Sequence, residues 1–286
     1  LLLHQGVTLT QPRSYTSAEL AKVLQDTQAV VNLVGILNES GSNGRGFEQA
    51  HVGLSQQLMN ACQQAGVRRY LHMSALRAGE GHSHYLITKG RAEAQVRDAQ
   101  QGGTLDTTIF QPSVIFGEGD GFILRFAQLL KLSPVLPLAC PQARFQPVWV
   151  EDVARAFVNS LNLPQTIGQN YPLGGPRSYT LREVVSYVAR QLDLQRWIIP
   201  LSPAISKAQA AIMQNVPGKP FSLDNYRSLQ VDSITPLDGL AALNIRARSM
   251  EDIVPQYLNP EPHRVRGRTR HQRQLSRYRQ LAGRTR

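Results

Sequence analysis

The chain of 286 residues has only two cysteines, Cys62 and Cys140. Two thiols cannot build a disulfide framework, and neither has the His or Cys neighbours of a zinc site, so no metal centre is expected. Both are expected as buried small side chains in a reducing compartment. Long apolar runs are lacking as well. A run such as that at residues 29–37 falls far short of the roughly 20 residues needed to cross a bilayer. No secretory leader is apparent, because Leu1-Leu2-Leu3 gives way at once to polar residues. The chain opens without Met, and the natural start is expected to have been removed. Acidic residues are missing from residues 264–286, which hold nine Arg. Nine of the eleven net positive charges therefore sit in that tail, leaving about +2 for the rest. Basicity confined to a tail argues against a nucleic-acid-binding body. The tail, residues 261–286, is expected to be a disordered extension able to touch anionic lipid at a membrane surface, RNA or an acidic partner.

What is present is an alternation of two periods. Residues 29–35 form a β-branched apolar run closed by Gly35, the pattern of a strand buried on both faces. Residues 69–73 and 106–110 read as further strands, and residues 6–10 as a short one. Between them lie helix patterns at 18–25, 47–65 and 86–99. Strand and helix at crossover spacing predict an α/β fold with a right-handed, doubly wound parallel sheet of Rossmann type. Beyond Gly117 the spacing loosens. Helices are expected at 122–132 and 150–161, with Glu151 and Asp152 as helix-end carboxylates at the positive end of the second. A proline-rich stretch at 134–147 should turn the chain back, and residues 171–175 suit an edge strand. Thr180 and Glu183 stand in capping-box register. The expected organisation is a dinucleotide-binding domain over 1–175, with 118–147 contributing to a second lobe, and a small, mainly helical lobe over 176–260.

Tyr85 and Lys89 are spaced four apart, so a helix puts both on one face. An ammonium beside a phenol favours the phenolate, and the Tyr85 pKa is expected below its usual value of about 10. Such a tyrosine moves a proton to a carbonyl or from an alcohol. Ser74 ends the preceding strand, where ligands of such sheets bind, and its hydroxyl can meet the same substrate oxygen. Tyr-x-x-x-Lys alone is weak in a chain with nine tyrosines, so this context is what gives it meaning. His51 has no metal-ligand partner and is expected to be packed or exposed. The segment Pro217-Gly218-Lys219-Pro220 suits either a lid or an ordinary loop.

This arrangement resembles the short-chain dehydrogenase/reductase superfamily, in its extended or atypical branch. The runs at 30–37, 74–76, 112–117, 145–154 and 253–258 are similar, more narrowly, to bacterial relatives of the NAD(P)H-binding accessory subunit of complex I. The likeness covers nearly all of residues 6–260. It implies Ser74, Tyr85 and Lys89 as catalytic residues, with Lys89 also on the nicotinamide ribose. It further implies cofactor contacts from Asn32, Val34 and Gly35 and from Pro112, Ser113 and Val114. The cofactor is expected to be NAD or NADP, since the residue that selects between them follows a strand not present in the sequence. Family members begin with a strand and Gly-x-x-Gly-x-x-Gly, which holds the pyrophosphate at a helix N-terminus, and the sequence has none. Those first strands are expected to be missing and to leave an apolar gap. Two functions follow: an oxidoreductase acting on a carbonyl or alcohol of an unknown small molecule, or a non-catalytic accessory or assembly factor linked to complex I or ubiquinone biosynthesis. The location expected is cytoplasmic, with a peripheral place at the inner membrane surface.

Overall fold

Strands that bury both faces need helices on each side, and the chain supplies them in order. A computed structural model describes residues 6–259. Helix α1 (Ser17–Val23) precedes strand β1 (Ala29–Asn32), then a short helix α2 (Arg45–Phe47), a π-helical turn (Glu48–Gly53) and α3 (Leu54–Ala65). Next come β2 (Arg69–Met73), α4 (His84–Gln101), β3 (Asp106–Pro112), β4 (Ile115–Phe116), α5 (Ile123–Leu132), β5 (Val135–Leu138), β6 (Arg144–Phe145) and β7 (Val148–Trp149). The chain continues through α6 (Val150–Leu161), β8 (Gln169–Leu173), β9 (Tyr179–Thr180), α7 (Leu181–Gln191) and β10 (Trp197–Pro200) to α8 (Pro203–Met213), α9 (Leu223–Ser228) and α10 (Met250–Leu258).

The main sheet runs β1-β2-β3-β8, parallel at every pairing. Side chains alternate across it. Tyr70 and Ile109 face α3 and α4, packing with Val30, Met59, Cys62 and Val96. Leu71 and Phe110 face the other way, with Phe157 of α6, Leu173, Leu240 and Leu243. This is the doubly wound α/β arrangement. A second core joins Ile123, Leu130 and Leu136 to Val184 and Val188 of α7 and to Met250 and Val254 of α10. Helix α7 begins with the expected capping box: the Thr180 hydroxyl accepts from the Glu183 N–H at 3.1 Å, and the Glu183 carboxylate accepts from the Thr180 N–H at 2.7 Å.

Five expectations need correcting. Residues 7–10 form no strand, and Val7 and Leu9 are exposed; lacking a neighbour to close its hydrogen bonds, an extended run does not become part of a sheet. The helix anticipated at 47–65 contains the π-helical turn that carries His51. The proline-rich stretch contains two short strands, β5 paired with β10 and β6 with β9. Cys140 is only half-buried, although Cys62 is fully enclosed. An apolar gap was expected in place of a trimmed edge, but β1 is itself the edge strand of the main sheet, with Val31 41% exposed while its register partner Leu71 is fully buried. The expected tail at 261–286 lies outside the described residues.

Phe110 is fully buried and stacks at 4.1 Å between ring centroids on Phe157. Phe110→Ala is expected to cost about 3–5 kcal/mol in urea unfolding, by lost burial and the cavity left behind. Val31→Ala, at the open edge, is expected to change stability by about 0.5 kcal/mol or less.

Candidate active site

The tips of β1 and β2 are joined by one cation. Lys89, on the second turn of α4 and 4% exposed, directs its ammonium to the carbonyls of Val34 (3.3 Å) and Met73 (3.1 Å). An ammonium has three donors, so one N–H is left for a ligand. Burial is the main influence on its pKa, lowering it to about 8, while Glu93 acts in the opposite direction. Gly35 makes room for it: a Cβ there would lie 3.1 Å from the Lys89 Nζ.

Helix α4 owes its position to three contacts. Ser83 caps it by accepting from the Leu86 N–H at 3.1 Å. Asp224 of α9 reaches the same helix start, accepting from the N–H groups of His84 (2.6 Å) and Tyr85 (3.1 Å). A carboxylate there meets both the unpaired N–H groups and the positive end of the helix dipole. Gly90 lets α4 lie against the loop after β2, since a Cβ on it would come within 2.4 Å of the Gly79 Cα. Asp224 and Gly90 were not singled out from the sequence. The first is 139 residues from Tyr85 and gives no local signal; the second, a glycine inside a strong helix pattern next to Lys89, does.

His51 packs beside this cation and is neutral. Its Nε2 accepts from the Ile36 N–H at 3.1 Å. The Thr88 hydroxyl donates to the His84 carbonyl at 2.7 Å, so at 2.8 Å from His51 Nδ1 it accepts, which places the ring proton on Nδ1. Burial first, then the charge of Lys89, lowers the His51 pKa to about 3. The ring is edged by Tyr85 at 5.6 Å and lies 5.7 Å from Phe47.

Ser74 directly follows Met73, whose carbonyl holds Lys89, and Tyr85 stands one helical turn before Lys89. Ser74 is therefore the chain neighbour of a residue that holds Lys89, and Tyr85 shares its helix one turn away. Ser74 is 4% exposed, and its Oγ has no hydrogen-bond partner among the described residues. An orphaned buried hydroxyl at a strand tip is a group waiting for a ligand atom. Tyr85 departs from expectation: burial raises its pKa to about 12. Lys89 spends two of its donors on backbone carbonyls, and desolvation outweighs any help to the phenolate.

The expected cofactor residues divide. Val34 and Gly35 lie exposed at the β1 tip against Lys89. Asn32 is 2% exposed and supports the tip from beneath: its amide donates to Ser55 (3.0 Å) and Tyr70 (2.8 Å), and its carbonyl accepts from the Val34 N–H at 3.0 Å. The Ser113 hydroxyl is engaged too, donating to the Ser233 carbonyl at 2.7 Å and accepting from the Gln146 N–H at 3.1 Å. The carbonyls of Pro112 and Val114 accept from Leu76 and Val148, each at 3.0 Å. Residues 217–220 are latched rather than free: the Lys219 ammonium is held by the carbonyls of Glu39, Ser40 and Gly41 at 2.7–2.9 Å. Asp152, fully buried, accepts from the Arg248 N–H at 2.8 Å and belongs to the opposite face of the sheet.

Two concavities flank these elements. One, about 170 Å³, adjoins the start of α4 between Phe47, His84, Lys219 and Asp224. The other, about 1290 Å³, lies between α6 and residues 235–249 and is lined by Arg155, Arg246 and Arg248. It is larger, yet it touches none of Ser74, Tyr85 or Lys89, so volume does not mark the chemistry here. No group of three or more metal-ligating side chains occurs among the described residues.

The residues at the β1 and β2 tips fit the nicotinamide-ribose end of a dinucleotide: a spare ammonium N–H, an orphaned hydroxyl, and a glycine where a side chain would crowd the lysine. Protonation of buried neutral histidines opposes this packing. His51 and His72 each have a folded pKa of about 3 against 6.5 in a free chain, so the unfolded state binds more protons between those values. Their contribution is intact above about pH 6.5 and is lost as pH falls toward 3. The urea midpoint is expected to fall steadily from pH 7 to 4, and His51→Gln is expected to flatten that slope.

Comparison with known proteins bears on the family and the fold. The chain is 27% identical to the mouse mitochondrial protein "NADH dehydrogenase [ubiquinone] 1 alpha subcomplex subunit 9" over 81% of its own length and 61% of that protein's. It is likewise 27% identical to the Arabidopsis thaliana counterpart, over 86% of this chain and 60% of that one. The chain therefore spans about three fifths of the length of these relatives. Among solved structures, a nucleoside-diphosphate-sugar epimerase from Staphylococcus aureus superposes with a TM-score of 0.68 at 15% identity, covering 87% of this chain and 84% of that one. A dTDP-glucose 4,6-dehydratase from Streptomyces venezuelae with NAD bound gives 0.65 at 19% identity, covering 85% and 76%. These last two likenesses speak for the fold. The sequence pattern of the NAD dependent epimerase/dehydratase family matches residues 5–174, a span that includes β1, β2, β3 and the helix bearing Tyr85 and Lys89. By that match the chain is a member of the NAD-dependent epimerase/dehydratase family.

Proposed function

We propose that the protein is an NAD(P)-dependent oxidoreductase acting on a carbonyl or alcohol, with Ser74, Tyr85 and Lys89 at its centre. The observation that carries this reading is the orphaned, buried Ser74 hydroxyl, on the residue that follows the carbonyl holding Lys89. A nicotinamide would supply or take the hydride. Lys89 would offer its remaining N–H to the ribose, backed by Val34 and Gly35. Ser74 would hold the substrate oxygen. Tyr85, protonated at neutral pH because burial raises its pKa to about 12, suits donation of a proton to a carbonyl oxygen. Pro112, Ser113 and Val114 would shape the nicotinamide side through their backbone, since the Ser113 hydroxyl is already engaged. Asn32 would act from below, by fixing the β1 tip.

A second reading is supported by the complex I relatives: a nucleotide-binding accessory or assembly subunit of a respiratory complex, placed peripherally at a membrane. No helix among the described residues is long and apolar enough to cross a membrane.

Protein expressed from the complete gene and screened for NAD(P)H oxidation with carbonyls and quinones separates the two. Turnover is expected, with Tyr85→Phe lowering kcat by about 10²–10⁴ while bound nicotinamide is retained. Retained nicotinamide with no turnover, together with co-purification with a membrane complex, would instead support the subunit. Cofactor binding is expected to weaken as pH rises through about 8, where Lys89 loses its charge, and Lys89→Met is expected to abolish that dependence.

A further inference from the structure

The strands β5 and β10 form a parallel pair that leaves the main sheet and presents an apolar outer face. In register, Trp197 lies beside Val135 and Ile199 beside Pro137, and register partners in a parallel pair share a face. Leu136 of this pair turns inward to the second core with Ile198 partly buried against it, while Trp197 is 77% exposed and Ile199 is exposed with Val135. Leu132, at the end of α5 and just before β5, is 84% exposed. Helix α8 flanks the pair, joined to it by the Gln209 side chain on the Pro137 carbonyl, and carries exposed Ile205 and Ile212 one heptad apart. An exposed tryptophan among exposed branched side chains is costly in water and marks a contact surface.

The charge around this face is of one sign. Neither residues 121–150 nor residues 194–223, which contain α5, β5, β10 and α8, include a single Asp or Glu. They do contain Arg125, Lys131, Arg144, Arg196, Lys207 and Lys219, and the carboxylates Asp120, Glu151, Asp193 and Asp224 stand just outside their ends. Lys131 and Lys207 are exposed, with no ion pair among the described residues. Aromatic and aliphatic groups seat at the headgroup boundary, and a fringe of cations without anions meets acidic lipid. We infer that the outer face of the β5–β10 pair, with Leu132 and the exposed side of α8, docks on an anionic lipid bilayer. This surface is separate from the Ser74–Tyr85–Lys89 site and stands whether or not that site is catalytic.

The test is flotation of the full chain with vesicles of phosphatidylcholine alone and of phosphatidylcholine with phosphatidylglycerol, with quenching of tryptophan emission by brominated lipid. Wild type is expected to float with the acidic vesicles, less so at high salt, and to be quenched. The double variant Trp197→Ser, Leu132→Ser is expected to bind about tenfold more weakly and to lose the quenching. Should that variant fail to fold by circular dichroism, Lys131→Glu with Lys207→Glu, which touches no packed residue, is expected to weaken binding by a similar factor. Equal binding of variants and wild type would overturn the proposal by placing the contact elsewhere, as would absence of vesicle binding altogether. Conversion of a wild-type dimer to a monomer by the apolar variant, with vesicle binding unchanged, would make the face a protein interface and overturn it equally.

Discussion

The ammonium of Lys89 is held between two backbone carbonyls at the tips of adjacent strands, and most of the site is arranged around that bond pair. A buried cation is tolerated only where oxygen atoms replace its water. The carbonyls of Val34 and Met73 do so, and in turn their strands end in a fixed relation to each other and to α4. Burial, reinforced by the same charge, keeps His51 neutral, which lets its Nε2 accept from the Ile36 N–H and steer the chain just after Gly35. Ser74 is placed by inheritance: it follows Met73 and has no freedom to move away.

Much of this was legible in the residues. The Val-rich run ending in glycine, the strand at 69–73 and the four-residue spacing of Tyr85 and Lys89 are local signals, and local signals survive folding. The doubly wound sheet followed from their order. What could not be read has a common cause, namely dependence on partners distant in sequence. Whether residues 7–10 pair with anything, whether Asn32 turns toward a ligand or into a buried network with Tyr70, and whether Ser113 keeps a free hydroxyl are all decided by other elements. The Tyr85 pKa fails for the same reason. Spacing put a cation near the phenol, but two of the cation's donors are committed to carbonyls and the ring packs against Phe47 and His51.

Family membership, the complex I relatives and the epimerase-like fold are compatible with more than one activity, because a shared scaffold hosts many reactions. The distinguishing chemistry rests on a few atoms at the strand tips. The uncovered β1 edge adjoins those atoms, so whatever lies against Val31 and Leu33 also borders the place where a dinucleotide would extend.

The carboxylate of Asp224 sits on the first turn of α4, yet it is made 139 residues after Tyr85. During synthesis the helix bearing the tyrosine leaves the ribosome long before its distant anchor exists. Until the later segment arrives and closes a very long loop, that opening turn has only the local Ser83 cap to hold it. The order of emergence thus makes the start of the helix that bears Tyr85 wait for Asp224 before its first N–H groups gain their distant acceptor.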